Sequence, residues 1–206
     1  MKTLIEKLQT LKQSSVQQRV HQRIKEFKTF QHAPSTDIFH ELCFCLMTAS
    51  CPAERCMRIQ QELRDEFLTF SAEELEKSLR SKGYRFPNRA PRITHARKQV
   101  PQLSQQLSTS CGKIVREWLV TNVTGLGYKE ASHFLRNIGY DDVAIIDVHI
   151  IRLLVSYDVI DEPRTLTKKR YLEIEQTLEM IAKKTQLTLA ELDLYLWYMQ
   201  TGKILK

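Results

Sequence analysis

Two side chains in this sequence have the types and spacing to do chemistry together. Lys129 comes two residues after the turn Gly125-Leu126-Gly127, in "TNVTGLGYKEASHFLRNIGY", and Asp147 stands eighteen residues further on, in "AIIDVHIIRLL". An amine must be neutral to act as a nucleophile. A lysine at the mouth of a helix meets the positive end of the helix dipole, which disfavours its charged form, and partial burial pushes the same way. A surface lysine that binds phosphate is the rival reading. Asp147 begins an apolar helix and is expected to cap it. The same carboxylate, facing a cleft, could stabilise positive charge developing on a reacting ring.

The elements around the turn decide where Lys129 points. Val120 and Val123 belong to one apolar helical face, and Ala131, Phe134 and Leu135 to another, so the short glycine turn joins a helix–hairpin–helix. Glycine permits a left-handed backbone and lets a ligand approach the main chain closely. The open N–H groups at the second helix's start form an anion site. A plain turn between helices is the alternative for Gly125 and Gly127 alone. With 31 Lys+Arg against 24 Asp+Glu, a net charge of +7 and a pI near 9.2, the favoured anion is a nucleic-acid backbone.

Helical periodicity runs through the rest of the 206 residues. Leu4, Leu8 and Leu11 stripe a first helix, and Val20, Ile24 and Phe27 a second. Thr36 or Asp37 is expected to cap the helix through "IFHELCFCLMTAS", Pro52 to open the next, and Ser71 with Glu74 to form a capping box. "YRFPNRAPRITHARKQ" carries Arg85, Arg89, Arg92, Arg97 and Lys98 among Tyr84 and Phe86; it reads as a solvated helix start or as a loop that tracks phosphates or wedges a base step. After Pro101, "QLSQQLSTSCGK" reads as a surface connection. No strand or internal repeat emerges, so the fold is expected to be all-α.

Cys43 and Cys45 lie in the apolar run "ELCFCLMTA" and read as buried thiols. Cys51 and Cys56 lack a second Cys or His pair at ligand spacing, so no metal is expected, and no cysteine beyond Cys111 remains for an iron–sulfur loop. The cysteine usage fits a reducing, intracellular, cytoplasmic setting. No apolar run reaches the length of a membrane span, and the amino end lacks the apolar core of a signal peptide.

"VTGLGYKEASHFLRN" with "AIIDVHI" resembles the hairpin lysine and downstream aspartate of the helix–hairpin–helix DNA glycosylases. "ELCFCLMTA", "TKKRYLEIE" and the terminal "ELDLYLWYMQTGKILK" narrow the resemblance to the second-type, mainly archaeal and thermophile, 8-oxoguanine DNA glycosylase/lyases, over nearly the whole chain. The resemblance implies that Lys129 attacks the deoxyribose C1′ of a flipped 8-oxoguanine nucleotide. Loss of the base leaves a Schiff base, and β-elimination nicks the strand. Asp147 would favour the neutral amine and stabilise the cationic sugar. Gly125 and Gly127 would hold the DNA backbone, with His149 a structural or backbone-contacting residue. Trp197, which alone would read as core, and Lys206 with its terminal carboxylate would form the base pocket. Arg85 and Phe86 are candidates to fill the gap left by the flipped base or to contact its orphaned partner. The sequence departs from the family pattern at Val148, where a basic residue is common, and in "SCPAERCMRI", which lacks the glycines often found there.

The expected architecture is two helical lobes with an active-site cleft between them: residues 36–144, containing the hairpin, and residues 1–35 with 145–206. The expected partner is double-stranded DNA containing oxidised guanine, bound by a monomer without a cofactor or membrane. Two other readings stand beside it: a glycosylase for another damaged base, and a non-enzymatic helix–hairpin–helix DNA-binding module.

Overall fold

The computed structural model describes all of residues 1–206 and is helical throughout. Its helices are α1 (Lys2–Lys12), α2 (Val16–Thr29), α3 (Ser35–Thr48), α4 (Ala53–Glu62), α5 (Arg64–Thr69), α6 (Ala72–Ser81), α7 (Ala90–Lys98), α8 (Val100–Thr109), α9 (Gly112–Asn122), α10 (Tyr128–Asn137), α11 (Val148–Ser156), α12 (Lys168–Thr185) and α13 (Leu189–Thr201). No helix is long and apolar enough to cross a membrane.

Apolar side chains segregate into two cores. One comprises 28 buried residues between Ile38 and Val143, and the other comprises 21 drawn from Leu4–Phe27 and Ala144–Ile204. The chain passes from one to the other between Val143 and Ala144. Helix α3 is the axis of the first core, with every residue from Ile38 to Thr48 buried, and Cys43 and Cys45 are fully enclosed there. Burial pushes both thiols well above the usual range, so they remain uncharged packing groups.

Several local signals took a different form from that expected. Helix α3 begins at Ser35 with Pro34 as its N-cap, so Thr36 and Asp37 lie inside its first turn and neither caps it. Pro34 is already extended (φ −55°, ψ 150°), and Asp37 instead pairs with Arg64 while its charge suits the helix N-terminus. The stretch after Pro101 is helix α8 and not a surface connection. Proline is tolerated in a first helical turn, and Leu103 and Leu107, one turn apart, pack onto the first core. The run from Ala53 to Thr69 divides at Leu63 into α4 and α5. Val123 lies just past α9 as its C-cap. The capping box at Ser71 and Glu74 is present, with Ser71 N–H donating to Glu74 at 2.8 Å and Glu74 N–H to Ser71 Oγ at 3.3 Å.

Candidate active site

Helices α9 and α10 pack side by side, joined by residues 123–127. Leu126 N–H donates to Val123 O (3.1 Å) and Leu126 is buried, which pins the turn to the first core. The two glycines differ in their backbone. Gly125 has φ +93°, a conformation costly for any residue with a Cβ, whereas Gly127 is extended (φ −92°, ψ −177°) and caps α10 without a side-chain acceptor. Both are exposed, so the first amides of α10 face solvent at the positive end of the helix. Conformation therefore requires a glycine only at 125; at 127 an added Cβ would meet only Glu130 Oε2, at 3.3 Å.

Lys129 is in the first turn of α10, half-buried, and its Nζ makes no hydrogen bond or ion pair within the protein. It lines a cavity of about 600 Å³, of the size that holds a small-molecule ligand. The cavity lies between the two cores: Thr48–Glu54 and helix α10 form one wall, and residues 145–149, α13 and the C-terminal tail form the other. Asp147 faces the same space. Its Oδ1 caps α11 by accepting from His149 N–H and Ile150 N–H, both at 2.9 Å, while Oδ2 has no partner in the protein. One oxygen thus fixes the side chain and the other is left unpaired.

Two buried polar networks hold these walls in register. Arg116 of α9 forms a two-pronged pair with Glu175 of α12 (2.5 and 2.7 Å) and donates to Ser132 of α10 (3.2 Å). Glu175 also accepts from Ala144 N–H (2.8 Å), and Tyr171 Oη donates to Ala144 O (2.7 Å) and meets Ile146 N–H at 3.3 Å. The hairpin helices are thereby tied to the strap that ends in Asp147. The second network joins Asp193 to Arg136, Arg136 to Asn137 Oδ1 (2.8 Å), Asn137 to Glu41 (2.6 Å), and Glu41 to Lys206 Nζ (2.8 Å). Lys206 Nζ also donates to Gln60 (2.7 Å) and sits 4.3 Å from the Phe44 ring centroid, so the last residue of the chain is anchored in the cavity wall.

Charge inside the cavity is tuned by burial. Burial pushes the Asp193 carboxyl up against the pull of Arg136, with the Asp147 charge adding to the rise and Lys129 opposing it. His133, stacked edge-on against Phe44 (5.6 Å), is held well below the usual imidazole range by burial and by the Arg136 and Lys129 charges, so it is neutral near pH 7. Trp197 is half-buried and lines the cavity, with the His149 ring edge-on to it at 5.1 Å. Val148 sits at the cavity edge, 51% exposed.

The structure therefore brings Lys129, Asp147, His149, Trp197 and Lys206 to one cavity. Gly125 and Gly127 lie outside it on the hairpin, and Arg85 and Phe86 do not line it. Phe86 packs against the first core under Arg89 (4.3 Å) and Arg85 (5.2 Å), and only Arg85 of the pair is exposed. Asp193, Arg136, His133 and Glu41 were not anticipated. The available signal was an acid in the apolar run "AELDLYLWY" and another in "FHELCFCLM", since a carboxylate is rarely buried unless paired.

An all-helical fold with a glycine hairpin between two packed helices is the fold of the 8-oxoguanine DNA glycosylases to which the chain is similar. A sequence profile described as 8-oxoguanine DNA glycosylase matches residues 20–187. The chain is 49% identical over 207 residues to an 8-oxoguanine DNA glycosylase/AP lyase of Methanocaldococcus jannaschii, covering 98% of this chain and 99% of that one, and 41% identical to one of Aquifex aeolicus, covering 93% and 94%. The M. jannaschii 8-oxoguanine glycosylase/lyase in complex with 15mer DNA containing 8-oxoguanine superposes with a TM-score of 0.95 at 49% identity, over 99% of this chain and 100% of that one. The 8-oxoguanine DNA glycosylase of Thermotoga maritima gives 0.92 at 38% identity, over 100% and 99%. The chain belongs to the 8-oxoguanine DNA glycosylase family.

Proposed function

We propose that this protein is a bifunctional DNA-repair glycosylase that removes 8-oxoguanine from double-stranded DNA and nicks the strand by β-elimination. The observation that carries the reading is Lys129, a lysine with no partner in the protein, sharing one cavity with Asp147. A stacked base is unreachable, so the nucleotide is extruded into the cavity at a cost of a few kcal/mol, offset by backbone contacts at Gly125 and Gly127 and by a side chain filling the gap. Trp197 offers the flat face for the extruded base, and Lys206 lines the same pocket.

Lys129 Nζ then attacks C1′ as the bond from C1′ to the base nitrogen breaks, and the departing base takes a proton. Asp147 Oδ2 stabilises the positive charge that develops on the sugar. Ring opening gives a Schiff base between Nζ and C1′. Removal of a C2′ proton expels the 3′ phosphate and leaves the strand nicked. His149 contacts the DNA backbone from beside Trp197, and Arg85 with Phe86 meets the gap or the orphaned base. The cores around 36–144 and around 1–35 with 145–206 act as two domains closing on the flipped nucleotide. The protein works as a monomer inside the cell, on chromosomal DNA.

Borohydride reduces a Schiff base to a stable amine, so trapping across duplexes with different single lesions reads both chemistry and base choice. Trapping that is strongest with 8-oxoguanine supports the proposal. Equal or stronger trapping with another lesion moves the substrate, and salt-dependent binding without trapping or nicking reduces the protein to a DNA-binding module.

A further inference from the structure

The five cations between Arg85 and Lys98 are not equivalent in the fold. Arg89 is tied down by Met47 O (3.2 Å), Ala49 O (2.6 Å) and the Tyr84 hydroxyl (3.1 Å), and Arg97 donates to Phe67 O and Phe70 O, both at 2.8 Å. Those two guanidinium groups stitch the first core together. Arg92 is exposed and has no hydrogen-bond or ion-pair partner in the protein. It stands in the first turn of α7, which contains no acidic residue, so it faces the positive end of its own helix uncompensated.

Its side chain lies across the hairpin turn. A methyl group on Gly125 would come within 2.6 Å of Arg92 Cδ, 3.1 Å of Nη1 and 3.2 Å of Nε. The missing side chain at Gly125 is therefore the seat of the Arg92 stem, and it sets the guanidinium beside the open amides that lead into α10. An unpaired guanidinium and the positive ends of α7 and α10 gather at one exposed spot; Glu130, with Oε2 beside Gly127, is the carboxylate in the first turn of α10, and it makes no ion pair with Arg92.

We infer that Arg92 binds a phosphate of the DNA strand held by the hairpin, its fork and the hairpin amides sharing one phosphate group. This inference rests on the function proposed above and adds the residue from α7 to that contact. It also divides the basic tract: Arg89 and Arg97 are structural, while Arg92 is the cation placed on the hairpin.

Fluorescence anisotropy with an 8-oxoguanine duplex over a series of salt concentrations tests it. Arg92→Gln keeps the stem over Gly125 and removes the charge. It should lower the slope of log affinity against log salt by about one and weaken binding roughly three- to tenfold. Arg92→Lys should retain the slope. Lys98→Gln, which removes the same charge from the far end of α7, should change the slope by less than half as much. An unchanged slope in Arg92→Gln, or an equal loss in Lys98→Gln, would overturn the inference while leaving the glycosylase reading intact. A wild-type protein without salt-dependent binding would overturn both.

Discussion

Glu175→Gln is the substitution that most directly probes how the hairpin is held against the strap carrying Asp147. Arg116 and Glu175 have side chains only 1% and 3% exposed, so the pair is fully withdrawn from water. The glutamine still accepts from Ala144 N–H at Oε1, but it leaves the Arg116 charge buried without a counter-charge and sets an amide donor against Arg116 Nη2. Breaking one partner of a buried pair costs about 3–5 kcal/mol. At about 2–4 °C per kcal/mol for a chain of this size, the thermal midpoint should fall by roughly 6–20 °C. Adding Arg116→Met removes the stranded charge, and the double variant should recover at least half of the loss. Urea denaturation of wild type, single and double variants gives the free energies, and thermal melts give the midpoints. A single variant within about 1 kcal/mol of wild type, or a double variant no better than the single, would refute the reasoning. At 25 °C, with Glu175→Gln still folded, excision should slow roughly tenfold or more, because displacing Asp147 relative to Lys129 disturbs a reacting geometry.

Asp147→Asn separates the helix cap from the charge. Asparagine caps as well as aspartate, so stability should hold within about 0.5 kcal/mol, while base excision should fall roughly a hundredfold or more; full activity would remove Asp147 from the chemistry. His133 predicts a pH dependence of stability. Its folded-state pKa lies below the unfolded value near 6.5, so its contribution is present above that pH and is lost as the pH falls, by up to about 1.4 kcal/mol per pH unit. Comparing wild type with His133→Gln by urea unfolding from pH 7 to pH 5 isolates that slope, and identical slopes would contradict a neutral buried histidine.

The hairpin was legible in the sequence because its signal is local: Gly125, Leu126, Gly127 and Lys129 fall within five residues, between two helices with clear apolar stripes. The all-helical class followed in the same way from periodicity at 3.6 residues. Helix α8 was hidden because Ser and Gln occupy most of its surface, and only Val100, Leu103 and Leu107 marked the side that packs. The supporting networks were hidden for a different reason. Arg116 and Glu175 are 59 residues apart, Arg136 and Asp193 are 57, and Lys206 and Glu41 are 165. Each is an ordinary charge in its own segment and becomes a buried or partly buried pair only through tertiary packing. Phe86 shows the converse: among its arginines it reads as part of a solvated helix start or a wedge loop, and packing against the core beneath Arg89 is visible only in the fold.

The central claim is that the Lys129 amine forms the covalent intermediate with damaged DNA, and the most direct measurement is peptide mapping of the borohydride-reduced complex by mass spectrometry. The account predicts that the deoxyribose remnant is carried on Lys129 and that Lys129→Gln gives no adduct with an 8-oxoguanine duplex. An adduct mapped to another lysine or to the amino terminus, or undiminished trapping by Lys129→Gln, would contradict it.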